Sequence, residues 1–316
     1  MKSKAAWVVV LFFIIAAALS FKEKIALYAV NKILNKYAPG SVFYTKEFSL
    51  WPGYVRLKDF GIKNTKNASA GALSFKGQNV LFRYSLFSLL RGDLSAINEL
   101  EVAASNLSYD VLGLEDIKID YLNDKETRLL TSSLDIRRMT YKKAVSKDIK
   151  GRFRMDPKTL YFDDIVIPIF GGIIRCSGSV LLIGEATPVV DIALQLEHID
   201  LNDVIKFLET QKRVQATGAY SGKIQILIKG AEIMKIEGAL KSEGGGRCTI
   251  VDDSIVERNA LSGNGLNIVV ENLKDYHYDI GSAKISNKGQ NIAIDLLLEG
   301  QAGKRQFEVV WHRSVI

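Results

Sequence analysis

Val190-Asp191-Ile192-Ala193-Leu194-Gln195-Leu196-Glu197 is the stretch on which the fold turns. Val190, Ile192, Leu194 and Leu196 point one way along an extended chain, and Asp191, Gln195 and Glu197 point the other. Side chains of a strand alternate with a period of two, so this is a strand with one apolar face and one wet face. The same pattern returns along most of the chain. Ile224, Ile226 and Ile228 alternate with Gln225, Leu227 and Lys229, and Leu266, Ile268 and Val270 with Asn267, Val269 and Glu271. Ile292, Ile294, Leu296 and Leu298 face away from Asp295 and Glu299. Ile149, Phe153 and Met155 oppose Lys150, Arg152 and Arg154, and Phe307, Val309 and Trp311 oppose Gln306, Glu308 and His312.

Glycine and asparagine breaks separate these segments: Gly171-Gly172, Gly184, Gly218, Gly244-Gly245-Gly246, Gly263-Asn264-Gly265 and Asn287-Lys288-Gly289. Helical stretches are few. The run from Asn202 to Glu209 reads as a short helix with Asn202 as its N-cap, and Ser85 to Arg91 as a helical turn ending at Gly92. A long antiparallel sheet with one apolar face must cover that face. It folds onto a second sheet, closes into a barrel, or curls into an open trough that something else fills. Periodicity alone leaves these solutions open. No repeat of about 20 to 50 residues marks a consensus solenoid.

The N-terminus carries a different signal. Lys2 and Lys4 precede an unbroken apolar run that includes Trp7, Val8, Leu11, Phe12, Phe13, Ile14, Ile15 and Leu19, and Lys22 and Lys24 close it. A membrane-spanning helix needs about 20 apolar residues and a signal-peptide core roughly 7 to 15, so the run lies between the two. Ala16-Ala17-Ala18 and Ala18-Leu19-Ser20 both suit signal cleavage. The continuation Ile25, Leu27, Tyr28, Val30, Ile33, Leu34 extends the helix as an amphipathic stretch up to Pro39-Gly40, which favours a retained anchor. Lysine flanks both ends of the run, so charge does not orient it. Either way, the rest of the chain is expected outside the compartment of synthesis.

Composition narrows the class further. Five prolines, 25 glycines and 47% hydrophobic residues in 316 argue against disorder and low complexity. A net charge of +7 suits a surface beside anionic lipid headgroups; it is equally a solubility property, and an exported chain seldom meets nucleic acid. Cys176 and Cys248 are either a pair formed in an oxidising compartment or two small buried hydrophobes.

Enzyme chemistry is hard to find. His198, His277 and His312 are scattered and match no metal-ligand spacing, so no metal or cofactor is expected. Asp163-Asp164 and Asp252-Asp253 read as turn residues between strands. Gly244-Gly245-Gly246-Arg247 lacks the Lys-Ser/Thr of a phosphate loop and reads as a sharp bend of the sheet. Tyr276-His277-Tyr278-Asp279 reads as packing.

Several segments resemble the AsmA-type envelope proteins. Trp51-Pro52-Gly53 and Arg56 to Asn64 resemble their first strand pair after the anchor. Ala72 to Phe75, Ser85 to Gly92 and Ile97 to Leu107 resemble their strand, Leu-Leu turn, strand signature. Ile199 to Ile205 followed by Gly218 to Ile224 is similar to their helix and glycine-led strand start. Glu237 to Arg247 and Glu271 to Asp279 resemble the YdbH branch of the group.

The resemblance implies a mainly β fold: an N-terminal transmembrane helix, then a long curved antiparallel sheet, open as a trough, with one or two short helices. It divides the chain into an anchor at 1–36, an AsmA-like β region at 40–145, a central β region at 146–215 and a YdbH-like β region at 216–316. It implies a single-pass bacterial inner-membrane protein with its bulk in the periplasm, carrying phospholipid to the outer membrane. The expected groove lining is Ile192, Leu194, Leu196, Ile224, Ile226, Ile228, Leu266, Ile268, Val270, Ile292, Ile294 and Leu296. The expected partners are phospholipid, the inner membrane, and an outer-membrane or periplasmic protein or a second copy met through a terminal strand. Two other classes stay in view: an assembly factor for outer-membrane proteins, and an anchored enzyme on a β scaffold.

Overall fold

The computed structural model describes residues 24, 27, 28, 31, 32, 40–64, 73–85, 97–109, 111–124, 129–156, 158–181, 187–209, 212, 214–230, 232–250, 275–289 and 291–311. The apolar run of the expected anchor from Trp7 to Leu19, residues 86–92 of the expected helical turn, and Leu266, Ile268 and Val270 lie outside these residues. Among the described residues no helix is long and apolar enough to cross a membrane. The fold is mainly β, as the alternation requires, and fifteen strands belong to one antiparallel sheet that follows the order of the sequence. The chain forms two compact units, 1–142 and 143–316.

The first unit contains β1 (Ser41–Trp51), β2 (Tyr54–Asn64), β3 (Leu73–Tyr84), β4 (Ile97–Tyr109), β5 (Leu112–Asp124) and β6 (Leu129–Tyr141). Leu57, Val80, Val102, Ile119 and Leu134 stand opposite one another on five successive strands. Phe60, Ile117, Tyr121 and Ile136 are buried. The rings of Phe60 and Phe75 lie 5.3 Å apart. The turn between β1 and β2 needs Gly53 at φ +97°, which leaves its carbonyl free to accept from the Tyr84 N–H at 2.8 Å. Asn31 reaches across to β1: its Nδ2 donates to Phe43 O (3.3 Å), and the Phe43 N–H donates to its Oδ1 (2.7 Å). One carboxamide thus answers both main-chain groups of a residue on the first strand.

The second unit begins with β7 (Ala144–Met155), β8 (Thr159–Ile169), β9 (Gly172–Leu181) and β10 (Val189–Asp200), followed by α1 (Leu201–Phe207). It continues with β11 (Val214–Ala216), β12 (Ala219–Lys229), β13 (Glu232–Ser242), β14 (Gly246–Ile250), β15 (Tyr276–Tyr278), β16 (Ile280–Lys288), β17 (Asn291–Gly300) and β18 (Gly303–Trp311). Nine of these strands pair in the order β7-β8-β9-β10-β12-β13-β16-β17-β18, while β11, β14 and β15 form a separate small sheet.

Three local readings change. The helix is capped by Asp200, not Asn202: the Asp200 carboxylate accepts from the Asn202 N–H at 2.8 Å, and the helix ends two residues before Glu209. Asp163 and Asp164 are not turn residues. They sit inside β8 at a bulge, Asp164 with φ 54°, and ion-pair with Arg154 and Arg175. Between Leu196 and Ile199 a second bulge, with His198 at φ 57°, shifts the phase of β10. A bulge puts one extra residue in a strand, so His198 turns away from the row of Ile192, Leu194 and Leu196 although it shares their parity in the sequence.

Candidate functional site

Strand register aligns the apolar positions of the second unit into continuous rows. Ile165, Cys176, Leu194, Ile224, Gly238, Ile285, Ile294 and Val309 are paired neighbour to neighbour on eight strands. A parallel row joins Ile167, Ile174, Leu196, Gly222, Leu240, Ala283, Leu296 and Phe307. Ile192 lies opposite Ile226, and Val190 opposite Ile228. At about 4.8 Å per strand these rows run for about 34 Å. The nine described groove candidates therefore share one face. All nine are half-buried: Ile192, Leu194, Leu196, Ile224, Ile226, Ile228, Ile292, Ile294 and Leu296. In a sandwich such positions are sealed by a facing layer.

Among the described residues the elements packed over the face lie at one margin, although Ile236, Ala283 and Ile285 within it are also buried. At that margin α1 and the small sheet pack on the strand ends, burying Ile205, Ala216, Tyr220, Cys248, Tyr276, Tyr278 and Leu298 with Leu201, Val214 and Leu240 against them. Tyr276 is 2% and Tyr278 3% exposed. Their polar ends are satisfied: the Tyr220 hydroxyl donates to Tyr278 Oη (3.1 Å), which donates to Thr217 O (2.7 Å), and Tyr276 Oη donates to Gly303 O. Burial, with the neighbouring Tyr220 hydroxyl, holds the Tyr278 phenol well above its usual range, and burial raises Tyr220 likewise. Tyr276-His277-Tyr278 is thus packing, as its sequence suggests, with His277 turned outward. Cys176 and Cys248 are unpaired, one in the apolar row and one in this cap.

The opposite face is polar and laced with cross-strand pairs. Arg175 joins Glu197 (3.0 Å) and Asp164 (3.2 Å), which push its pKa further up, and Lys288 holds Glu308 at 2.6 Å. Two shallow recesses, about 540 and 850 Å³, are lined mostly by residues of this polar side, such as Gln195, Lys223, Lys241 and Lys284. His198, Ser221 and Glu243 also meet here. The Ser221 hydroxyl donates to Glu243 and accepts from the His198 main-chain N–H (2.9 Å), while His198 Nδ1 lies against the second Glu243 oxygen. The Ser221 bond holds the Glu243 carboxyl below its usual range. The serine proton points at the Glu243 carboxylate and the His198 ring lies on the far oxygen of that carboxylate, so the trio is not wired as the serine–histidine–carboxylate relay of acyl transfer. Among the described residues no group of His, Cys, Asp and Glu is placed to hold a metal.

Residues 146–286 match the model of the YdbH-like family, described as intermembrane phospholipid transport protein YdbH. That stretch is YdbH-like. It includes the segments at Glu237 to Arg247 and Glu271 to Asp279 that resemble the branch in sequence. The YdbH-like stretch runs from β7 to β16 and so carries most of the apolar rows and the cap. No curated protein and no solved structure matches the chain.

Sequence reasoning overlooked the glycines inside the rows. A Cβ on Gly222 would strike the Ala239 carbonyl and Leu240, and one on Gly238 would crowd Ile224. Their signal was available: both lie in phase with the apolar positions of their own strands. They thin the face where bulky neighbours flank them.

Proposed function

We propose that this chain is a membrane-anchored envelope protein that carries phospholipid between the inner and outer membranes along the apolar face of its second unit. One observation carries the reading: apolar rows cross eight strands, and among the described residues the elements packed over them lie at one margin. A half-buried apolar surface this wide marks a binding site, and acyl chains are the occupant that needs length without polar contacts. The YdbH-like match supports the choice of phospholipid. The sheet acts as an open trough, and the apolar run from Trp7 to Leu19 is its inner-membrane anchor. Transport needs no chemistry, so the protein is not an enzyme. A terminal strand gives it a means of joining a second copy or another envelope protein.

Mass spectrometry of lipids extracted from detergent-purified protein tests this. Phospholipid is expected to co-purify in stoichiometric amounts; protein free of lipid after gentle extraction, and unable to take it up from vesicles, would overturn the reading.

A further inference from the structure

Arg305 is the exception on the apolar face. It stands opposite Leu298 on β17, in phase with Phe307 and Val309, whose partners are Leu296 and Ile294. The remaining described positions of those rows, from β8 to β18, are uncharged. Among the described residues Arg305 has no acidic partner. Its guanidinium carbon lies 5.6 Å from the centre of the Tyr276 ring, and Nη1 donates to Lys304 O at 3.0 Å. Nε is buried and has no hydrogen-bond partner. The neighbouring charges are spoken for: Lys304 pairs with Glu299 (2.7 Å), and Glu308 with Lys288.

A half-buried guanidinium without an anion is a costly arrangement, because an unpaired charge leaves water without compensation. The contact with the Tyr276 ring and one carbonyl offset part of that cost and hold the guanidinium at the covered margin. The geometry points to Arg305 as the phosphate anchor of the bound lipid, a role that rests on the phospholipid reading above. A phosphodiester accepts two parallel N–H bonds from arginine, a match that ammonium cannot make. From Arg305 inward, past Leu298 beneath the cap, β17 offers Leu296, Ile294 and Ile292 in line. Those positions span about 13 Å at about 3.3 Å per residue, close to the roughly 15 Å depth of one bilayer leaflet. A headgroup held at the margin therefore lays its chains along β17, across the rows.

The test uses full-length protein in detergent, stripped of lipid and offered phosphatidylglycerol or diacylglycerol with identical acyl chains. The wild type is expected to hold phosphatidylglycerol about tenfold more tightly. Arg305→Gln should abolish that preference while diacylglycerol retention and circular dichroism stay unchanged. Arg305→Lys, which keeps charge and stem, should lose several-fold of it; this second variant decides if Arg305→Gln fails to fold. An undiminished preference in a folded variant, or equal retention of the two lipids by the wild type, would overturn the anchor and leave the apolar face standing. Retention of neither lipid would overturn both. Millimolar inorganic phosphate should not displace phosphatidylglycerol; displacement down to the diacylglycerol level would assign Arg305 to a free anion.

Discussion

The cap and the rows of the second unit are built from similar residues but end in different states. In the cap, Tyr276, Tyr278 and Leu298 fall to 4% exposure or less, and every tyrosine hydroxyl finds a partner. In the rows, Ile192, Leu194, Ile224 and Ile226 keep one flank bare although their neighbours are equally apolar. The difference lies in what covers them. A helix and three short strands close the cap from a second layer, whereas among the described residues each row is supported by the strands beside it. Apolar residues under a second layer make the tightest core; the half-open rows are the surface proposed to hold lipid.

Substitutions break the comparison in a graded way. Tyr276→Ala removes a buried ring and its bond to Gly303, and should cost about 3 to 5 kcal/mol, read from the denaturant midpoint. Loss below about 1 kcal/mol would show that the cap is not a core. Ile226→Glu sits in the rows and should lose bound lipid while keeping its circular dichroism, because the carboxylate can reach water once lipid leaves. Collapse of the fold would make that segment part of a closed interior.

A subtler contrast is pH. The Tyr278 phenol has a raised folded-state pKa, while the unfolded chain ionises near about 10. Stability should be flat below that pH and fall above it, since the unfolded chain then sheds a proton that the folded one keeps. Tyr278→Phe should flatten this alkaline limb in urea melts; an unchanged limb would assign it to other groups. Gln225→Glu, on the polar face of the same strand as Ile226, should move lipid content not at all and stability by no more than about 0.5 kcal/mol.

Much of this organisation was legible beforehand. The period of two in β10, β12 and β17 is enough to put Ile192, Ile226 and Ile294 on a common side, because face follows from parity alone. The cap was not legible. Its strands are three to five residues long, too short to show a period, and β14 meets β11 and β15 through contacts distant in sequence. Bulges were invisible for a related reason. Asp164 and His198 take positive φ within otherwise ordinary strands, and each offsets its neighbours by one place. The helix start was misjudged because Asp200 both ends β10 and caps α1.

The carboxamide of Asn31 has a consequence for how this protein grows or does not grow. A sheet edge is a polymerisation site, and each unpaired main-chain group on it is a vacant valence. Asn31 saturates two of those valences at Phe43, in the manner of a terminator on a growing chain. A strand arriving there must first evict a side chain already bonded to the residue it seeks, so at Phe43 the sheet is a finished end.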